Sequence, residues 1–413
     1  MLARIAVLLL AVLCTVATVR SAECFHLPGC DTLLYADIPA AEYAGNSTVA
    51  AVSSNTVDTV KKRDGFVRRI IRYFGSSNVD RTFEKKIDFS FAGGPSFSKN
   101  TSLGIGLLAA GLYRVDRTDS VTVPSDVSLF VNASITGFYA VGVSGNTLFD
   151  RGNQRVVYTL MFSSAPSSFW GIGYDAGRYN PESTYSEKRY TIEASYLHRI
   201  ISKLYVGGVF SFDYVRGLKF TQPAYLNGEK ERYTATGIGA VVEFDSRDFI
   251  PNPYRGVYVS LKEQFFPKGL GNCERSLWRT TFTADYYQRL WKGGILASDL
   301  HAIFNSEGTP WPMLARMGGS QRMRGYYLGR YTDNDMITFQ VELRQRIWRR
   351  IGCTVWGGAG NVFPSIDRFD WSHTLPNYGV GLRWEFKKQV NVRMDYGMGK
   401  NTSGFMLSIN EAF

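Results

Sequence analysis

The sequence is short of what a helical membrane protein or a metalloenzyme needs. Only one long hydrophobic run occurs, Ile5 to Val19, and no second stretch would cross a bilayer as a helix. A mean hydropathy of −0.14 is too polar for a bundle of such helices. Histidine is scarce, and the four present, His26, His198, His301 and His373, lie far apart in sequence. There is no Gly-x-Ser-x-Gly elbow, no His-Glu-x-x-His and no glycine-rich phosphate loop. The chain therefore reads as a protein that is not an enzyme, with no metal and no cofactor. A lipid hydrolase would have to assemble serine and histidine in space, for instance around His301.

Cysteine is sparse too, and its placement excludes redox chemistry. The apolar run follows Arg4 and precedes Ser21 and Ala22, which is the layout of an export signal, here expected over residues 1–21. Cys14 follows Leu13 and Cys24 follows Glu23, so neither has the small residue that precedes a lipidated cysteine. After cleavage Cys24, Cys30, Cys273 and Cys353 remain in a compartment that permits disulfides. Cys24 and Cys30 are the only close pair, a candidate local staple, and no histidine beyond His26 lies near enough to suggest a metal site. The net charge of +11 is scattered and forms no dense basic tract. Together with export, this excludes nucleic acid as a partner.

What is present is alternation. Ile337, Phe339, Val341 and Leu343 alternate with Thr338, Gln340, Glu342 and Arg344, so one strand carries a greasy face and a charged one. Such a strand suits a barrel with lipid outside and a polar lumen. Twenty-four tyrosines, 27 phenylalanines and eight tryptophans supply girdles at the two membrane interfaces. Counting alternating segments gives sixteen, near 86–98, 102–114, 125–136, 138–149, 154–164, 186–200, 202–215, 231–245, 255–266, 277–291, 293–305, 334–348, 350–362, 377–387, 389–399 and 402–413. An all-β, 16-stranded antiparallel transmembrane barrel over 86–413 is expected, in the outer membrane of a Gram-negative-type bacterium. The Phe169–Gly173 stretch reads as a loop or a further strand. The barrel is preceded by a short periplasmic segment, 22–85. There Lys61-Lys62-Arg63 and then Phe66, Val67, Ile70, Ile71 and Phe74 predict one basic amphipathic helix near 61–74, either strapped to the barrel mouth or lying on anionic lipid or a periplasmic partner.

The long glycine-rich loop before the twelfth segment holds Met323-Arg324-Gly325-Tyr326. Further along the chain come Phe244-Asp245-Ser246-Arg247-Asp248, Glu342-Leu343-Arg344, Gly358-Ala359-Gly360-Asn361-Val362 and Arg393-Met394-Asp395-Tyr396-Gly397. In this order the motifs resemble the BamA and TamA superfamily of outer-membrane assembly and translocation barrels, also called bacterial surface antigens. The resemblance implies that the loop folds back into the lumen with an Arg-Gly-Tyr tip. Strand parity places Glu342 and Asp395 on lumen faces, so Arg324 is expected to pair with Glu342, with Asp395 near. Where the family has an inward acidic residue, this chain has Gly358, which leaves the arginine one partner fewer.

The resemblance also implies a lateral gate between the first and last strands, where a client strand adds. Gly93, Gly94 and Pro95 weaken the first strand at that seam, and Gly404 and the terminal Phe413 are expected on its last-strand side. Residues 23–85 show no repeated periplasmic module, so the likeness is to the subgroup without them. The expected role is assembly or transport of protein or lipid at the outer membrane, with outer-membrane lipid and periplasmic or client proteins as partners. The alternative is a passive channel or structural barrel that keeps only the scaffold.

Overall fold

The computed structural model of the protein describes residues 82–119, 122, 124–250, 252–387 and 390–413. The chain divides into two units, Met1–Arg72 and Tyr73–Phe413, and the first lies outside the described residues. The expected signal peptide, Cys24, Cys30 and the helix near 61–74 fall outside them too.

Sixteen antiparallel strands close into a barrel. They are β1 (Asp88–Ser98), β2 (Ser102–Tyr113), β3 (Ser125–Ser134), β4 (Tyr139–Phe149), β5 (Gln154–Phe169), β6 (Ser183–Ile201), β7 (Leu204–Leu218), β8 (Arg232–Asp245), β9 (Gly256–Phe266), β10 (Leu277–Trp291), β11 (Gly294–Asn305), β14 (Asp335–Trp348), β15 (Ile351–Phe363), β16 (Leu375–Lys387), β17 (Val390–Gly399) and β18 (Thr402–Ile409). A short hairpin, β12 (Ala315–Met317) with β13 (Tyr331–Asp333), lies in the loop between β11 and β14. The fold follows the alternation: on β14 the side chains of Thr338, Gln340, Glu342 and Arg344 are buried while Phe339 is 48% exposed on the outside. An outward apolar row with a polar lumen is what a strand in lipid needs, because the ladder satisfies every backbone group and the lipid side carries no charge.

β5, β6 and β18 depart from the sequence expectation. β5 and β6 continue past residue 164 and back to Ser183, paired to Phe169↔Ser183. The upper end of β5 is rich in serine, Ser163, Ser164, Ser167 and Ser168, and shows no lipid-facing alternation to read. Trp170–Gly173 is then a loop leading into helix α1 (Tyr174–Tyr179). At the other end β18 stops at Ile409, short of the expected 413, because Asn410 turns the chain with a φ of +68°.

The loops orient the barrel. One rim carries the long connections 170–182, 219–231, 306–334 and 364–374, whereas the rim where β1 begins and β18 ends is joined mostly by two-residue turns. Long loops are extracellular and short turns periplasmic in outer-membrane barrels. Beneath the long loops lie two apolar clusters, one around Trp311, Tyr185 and Leu277, the other around Met317, Met323, Tyr326 and Leu375.

Candidate functional site

The 306–334 loop enters the lumen, anchored at several heights. Near the outer rim Trp311 donates its indole N–H to Lys230 O at 3.0 Å, and its backbone N–H reaches Glu229 Oε2 at 2.9 Å. Arg316 donates through both terminal nitrogens to Glu187 on β6 at 3.1 Å. Deeper, Arg322 grips Asp299 of β11 with contacts of 2.7–3.0 Å. Gln340 donates to the same carboxylate at 3.2 Å and to Gln321 O at 3.1 Å.

At the tip Arg324 is fully buried. Its Nη2 donates to Glu342 Oε2 at 2.6 Å and its Nη1 to Asp395 Oδ2 at 2.9 Å, so one guanidinium bridges β14 and β17. The face of that guanidinium lies 3.6 Å from the Trp356 ring centroid, and its main-chain carbonyl accepts a hydrogen bond from the Asn377 amide. A planar fork is the only cationic side chain that can hold two carboxylates and a ring at once. Gly358, whose lack of a carboxylate suggests a poorer set of partners, faces Gln340 instead. A side chain there would collide with the Phe339 carbonyl and the Gln340 backbone, and Trp356 supplies the extra contact.

The carboxylates are themselves held. Glu342 Oε1 accepts from Arg344 Nε at 2.9 Å and pairs with Arg383 Nη2 at 3.3 Å, while Arg383 Nη1 donates to Asp395 Oδ1 at 2.6 Å. Arg393 Nη2 donates to Ser320 O at 2.9 Å. Glu342, Asp395 and Arg383 thus each have several partners, whereas Arg324 Nε, Arg344 Nη1 and Arg393 Nε make no hydrogen bond among the described residues.

The tip backbone needs its glycine. Gly325 has a φ of +101°, and a Cβ there would lie 2.6 Å from the Gly397 carbonyl carbon and oxygen. Gly397 and Gly404 leave the floor bare where the tip rests on β17 and β18. Gly404 faces the tip, and a Cβ added to it would lie 3.5 Å from Gly325 Cα. Tyr326 donates to Pro376 O at 2.8 Å and accepts from Lys400 N–H at 2.7 Å. Met323 packs beside it at a φ of +50°.

The seam has an uneven structure. β1 pairs with β2 from Asp88↔Leu112 to Ser98↔Ser102, including Gly93, Gly94 and Pro95, but among the described residues its register with β18 consists of Phe97↔Leu407 alone. At the outer end loop and turns are tied across it. Asn100 accepts from Leu328 N–H at 3.1 Å, Lys99 donates to Thr402 Oγ1 at 2.5 Å, and Thr402 donates to Gly325 O at 2.9 Å. Phe413, expected on the last strand, lies off it. Past Asn410 the chain turns inward, and Glu411 is buried with Arg383 Nε at 2.8 Å and Asn391 Nδ2 at 2.6 Å, while Phe413 O accepts from Arg344 Nη2 at 3.1 Å. A carboxylate cannot face lipid, and the arginines offer it a lumen seat. The sequence signal was there, in the break of alternation at Glu411.

The loop cap carries a titratable group of its own. Asp333 on β13 is 5% exposed and has no ion pair among the described residues, and burial pushes its carboxyl up to about 6. A raised acid favours the folded hairpin at low pH, so the stability of the hairpin is greatest below the free-aspartate value and falls as pH rises through about 6. The loss is up to about 3 kcal/mol. Hydrogen exchange of the Gly329 amide, which donates to Met317 O at 3.0 Å across the hairpin, should, after correction for its intrinsic rate, quicken between pH 5 and 7.5. Asp333→Asn should abolish that pH dependence, and its persistence would exclude this carboxyl as the cause. The His301 ring shares a 2.9 Å hydrogen bond with Thr283, and its carbonyl accepts from Thr338 at 3.4 Å. Cys273 and Cys353 are free.

Comparison with known proteins places this architecture. A family model described as the Omp85 superfamily domain matches residues 138–413. Among solved structures, CdiB from Escherichia coli is similar with a TM-score of 0.53 at 12% identity, over 83% of this chain and 70% of that one. BamA from Haemophilus ducreyi lacking POTRA domains 1-3 is similar at 0.51 and 12%, over 79% and 70%. CdiB from Acinetobacter baumannii follows at 0.50 and 12%, and the match spans 79% of this chain but 60% of that protein. At this identity the likeness is one of fold. The search of curated proteins found no match.

Proposed function

Because this chain belongs to the Omp85 superfamily, a family of the Gram-negative outer membrane, we propose that its barrel inserts or translocates client polypeptide there through the β1–β18 seam, with the lumen loop bracing the wall. The single observation that carries this reading is the closure of sixteen strands by one residue pair, Phe97↔Leu407. Below that pair the β1 edge shows no second register pair with β18 among the described residues, and β18 itself ends at Ile409. Unpaired N–H and C=O groups at membrane depth cost several kcal/mol each, so such an edge favours the arrival of another strand. Strand addition supplies those hydrogen bonds, and the alternating side chains of the client meet lipid and lumen in the register they need.

The test is a reversible lock. Directly opposed residues of antiparallel strands lie within the Cα range that a disulfide spans. The variant Phe97→Cys/Leu407→Cys, in a Cys24→Ser/Cys30→Ser/Cys273→Ser/Cys353→Ser background, should cross-link on oxidation. In liposomes the oxidised barrel should fold a client barrel no faster than protein-free vesicles do, and reduction should restore the acceleration. Equal rates in both states would sink the seam reading.

A further inference from the structure

The periplasmic rim repeats one hairpin design that the seam and the loop do not use. Arg199-Ile200-Ile201 precedes the Ser202-Lys203 turn, Arg289-Leu290-Trp291 precedes Lys292-Gly293, and Arg346-Ile347-Trp348 precedes Arg349-Arg350. In each, the ladder slips by one residue at the same place: between Arg199 and Ile201, Arg289 and Trp291, and Arg346 and Trp348. The β16–β17 hairpin slips likewise between Glu385 and Lys387. The other hairpins of this rim, β2–β3, β4–β5 and β8–β9, show no such slip among the described residues.

A bulge puts two consecutive side chains on one side of the sheet, where regular alternation would send one of them into the lumen. Here both members of each pair are exposed: Ile200 and Ile201 are 57% and 59% exposed, Leu290 and Trp291 45% and 52%, Ile347 and Trp348 63% and 60%. Beside these pairs Lys203, Arg289, Lys292, Arg346, Arg349 and Arg350 are exposed, and Glu385 pairs with Arg346 at 3.3 Å. The β10–β11, β14–β15 and β16–β17 hairpins are also joined to each other, by Arg346 N–H to Gly293 O at 2.7 Å and Glu385 N–H to Arg350 O at 2.8 Å. A bulge that merely ended a strand would need neither a second apolar residue nor a cation. Two apolar side chains just inside a ring of cations match one occupant: the glycerol and upper acyl region of a lipid with its phosphate at the level of the turn.

We propose that these bulged hairpins seat anionic phospholipid of the periplasm-facing leaflet, the apolar pair entering the acyl boundary while the turn cations hold the headgroup phosphate. The purified full chain, in neutral detergent, is incubated with equimolar phosphatidylglycerol and phosphatidylcholine of matched chains, and retained lipid is counted by native mass spectrometry. The expected result is at least fivefold retention of phosphatidylglycerol over phosphatidylcholine. Lys203→Gln/Lys292→Gln/Arg349→Gln/Arg350→Gln, all in the turns, should bring the ratio close to one. Lys219→Gln/Arg232→Gln/Lys268→Gln/Arg368→Gln, which removes the same charge from the opposite rim, should leave it unchanged. Heat-shifted gel migration verifies that each variant is folded. No lipid preference, a preference that survives the first variant, or one lost equally in the second would overturn the proposal. So would loss of a co-purifying acidic protein from the first variant with the lipid ratio intact.

Discussion

Arg324→Ala should release the lumen loop and raise the single-channel conductance from a small value to a large, fluctuating one. The guanidinium is buried between Glu342 and Asp395, and removing one partner of a buried ion pair costs about 3–5 kcal/mol. Glu342 keeps Arg344 and Arg383, and Asp395 keeps Arg383 and Arg393, so the barrel wall should survive. The cost therefore falls on the loop. Protease sensitivity within 306–334 reports the release, and heat-shifted gel migration reports the intact wall. Arg324→Lys should behave more like the alanine than like the wild type, because an ammonium can meet one carboxylate but not bridge two while lying on Trp356. A conductance that stays low in Arg324→Ala would show that Arg316, Arg322 and Trp311 hold the loop without it.

Gly325→Ala should be nearly as damaging by a different route. The methyl would meet the Gly397 backbone at 2.6 Å, and the φ of +101° is one that alanine resists. Neither backbone can give way without breaking the β17 ladder, so the expected cost is about 2–5 kcal/mol from overpacking and strain. Gly94→Ala is the natural control. No atom lies within 4 Å of the added Cβ there, and its effect on thermal unfolding should stay below about 1 kcal/mol. If the two alanines behaved alike, the close approach of the tip to β17 would not be what Gly325 serves.

Strand parity makes much of this legible in advance. Alternation over Ile337–Arg344 specifies both faces of β14, and the same reasoning puts Asp395 in the lumen, so the carboxylates that Arg324 meets can be named from sequence. Parity gives a face, not a depth or a neighbour. It cannot say that Asp299 of β11 is level with Arg322, or that Trp356 lies under the guanidinium, because both depend on the stagger between strands and on how far the loop descends. The end of the chain is harder still. Phe413 continues an apolar row in sequence, yet one left-handed residue, Asn410, and one buried carboxylate, Glu411, outweigh it. Asn100 carries no pattern at all, and its hydrogen bond to Leu328 exists only because the barrel brings two remote turns together.

Those turn contacts give the split barrel the mechanics of a clothes-peg. Asn100, Lys99 and Thr402 tie the outer end of the slit through the loop tip, while among the described residues the inner end shows no β1–β18 register pair below Phe97↔Leu407. A hoop fastened at one edge cannot part evenly along its length; it splays as a wedge whose apex is the fastened edge and whose width grows towards the other. Any load on the slit is then felt first at Phe97 and Leu407, and only after that pair yields does stress reach Gly325 and the arginine behind it.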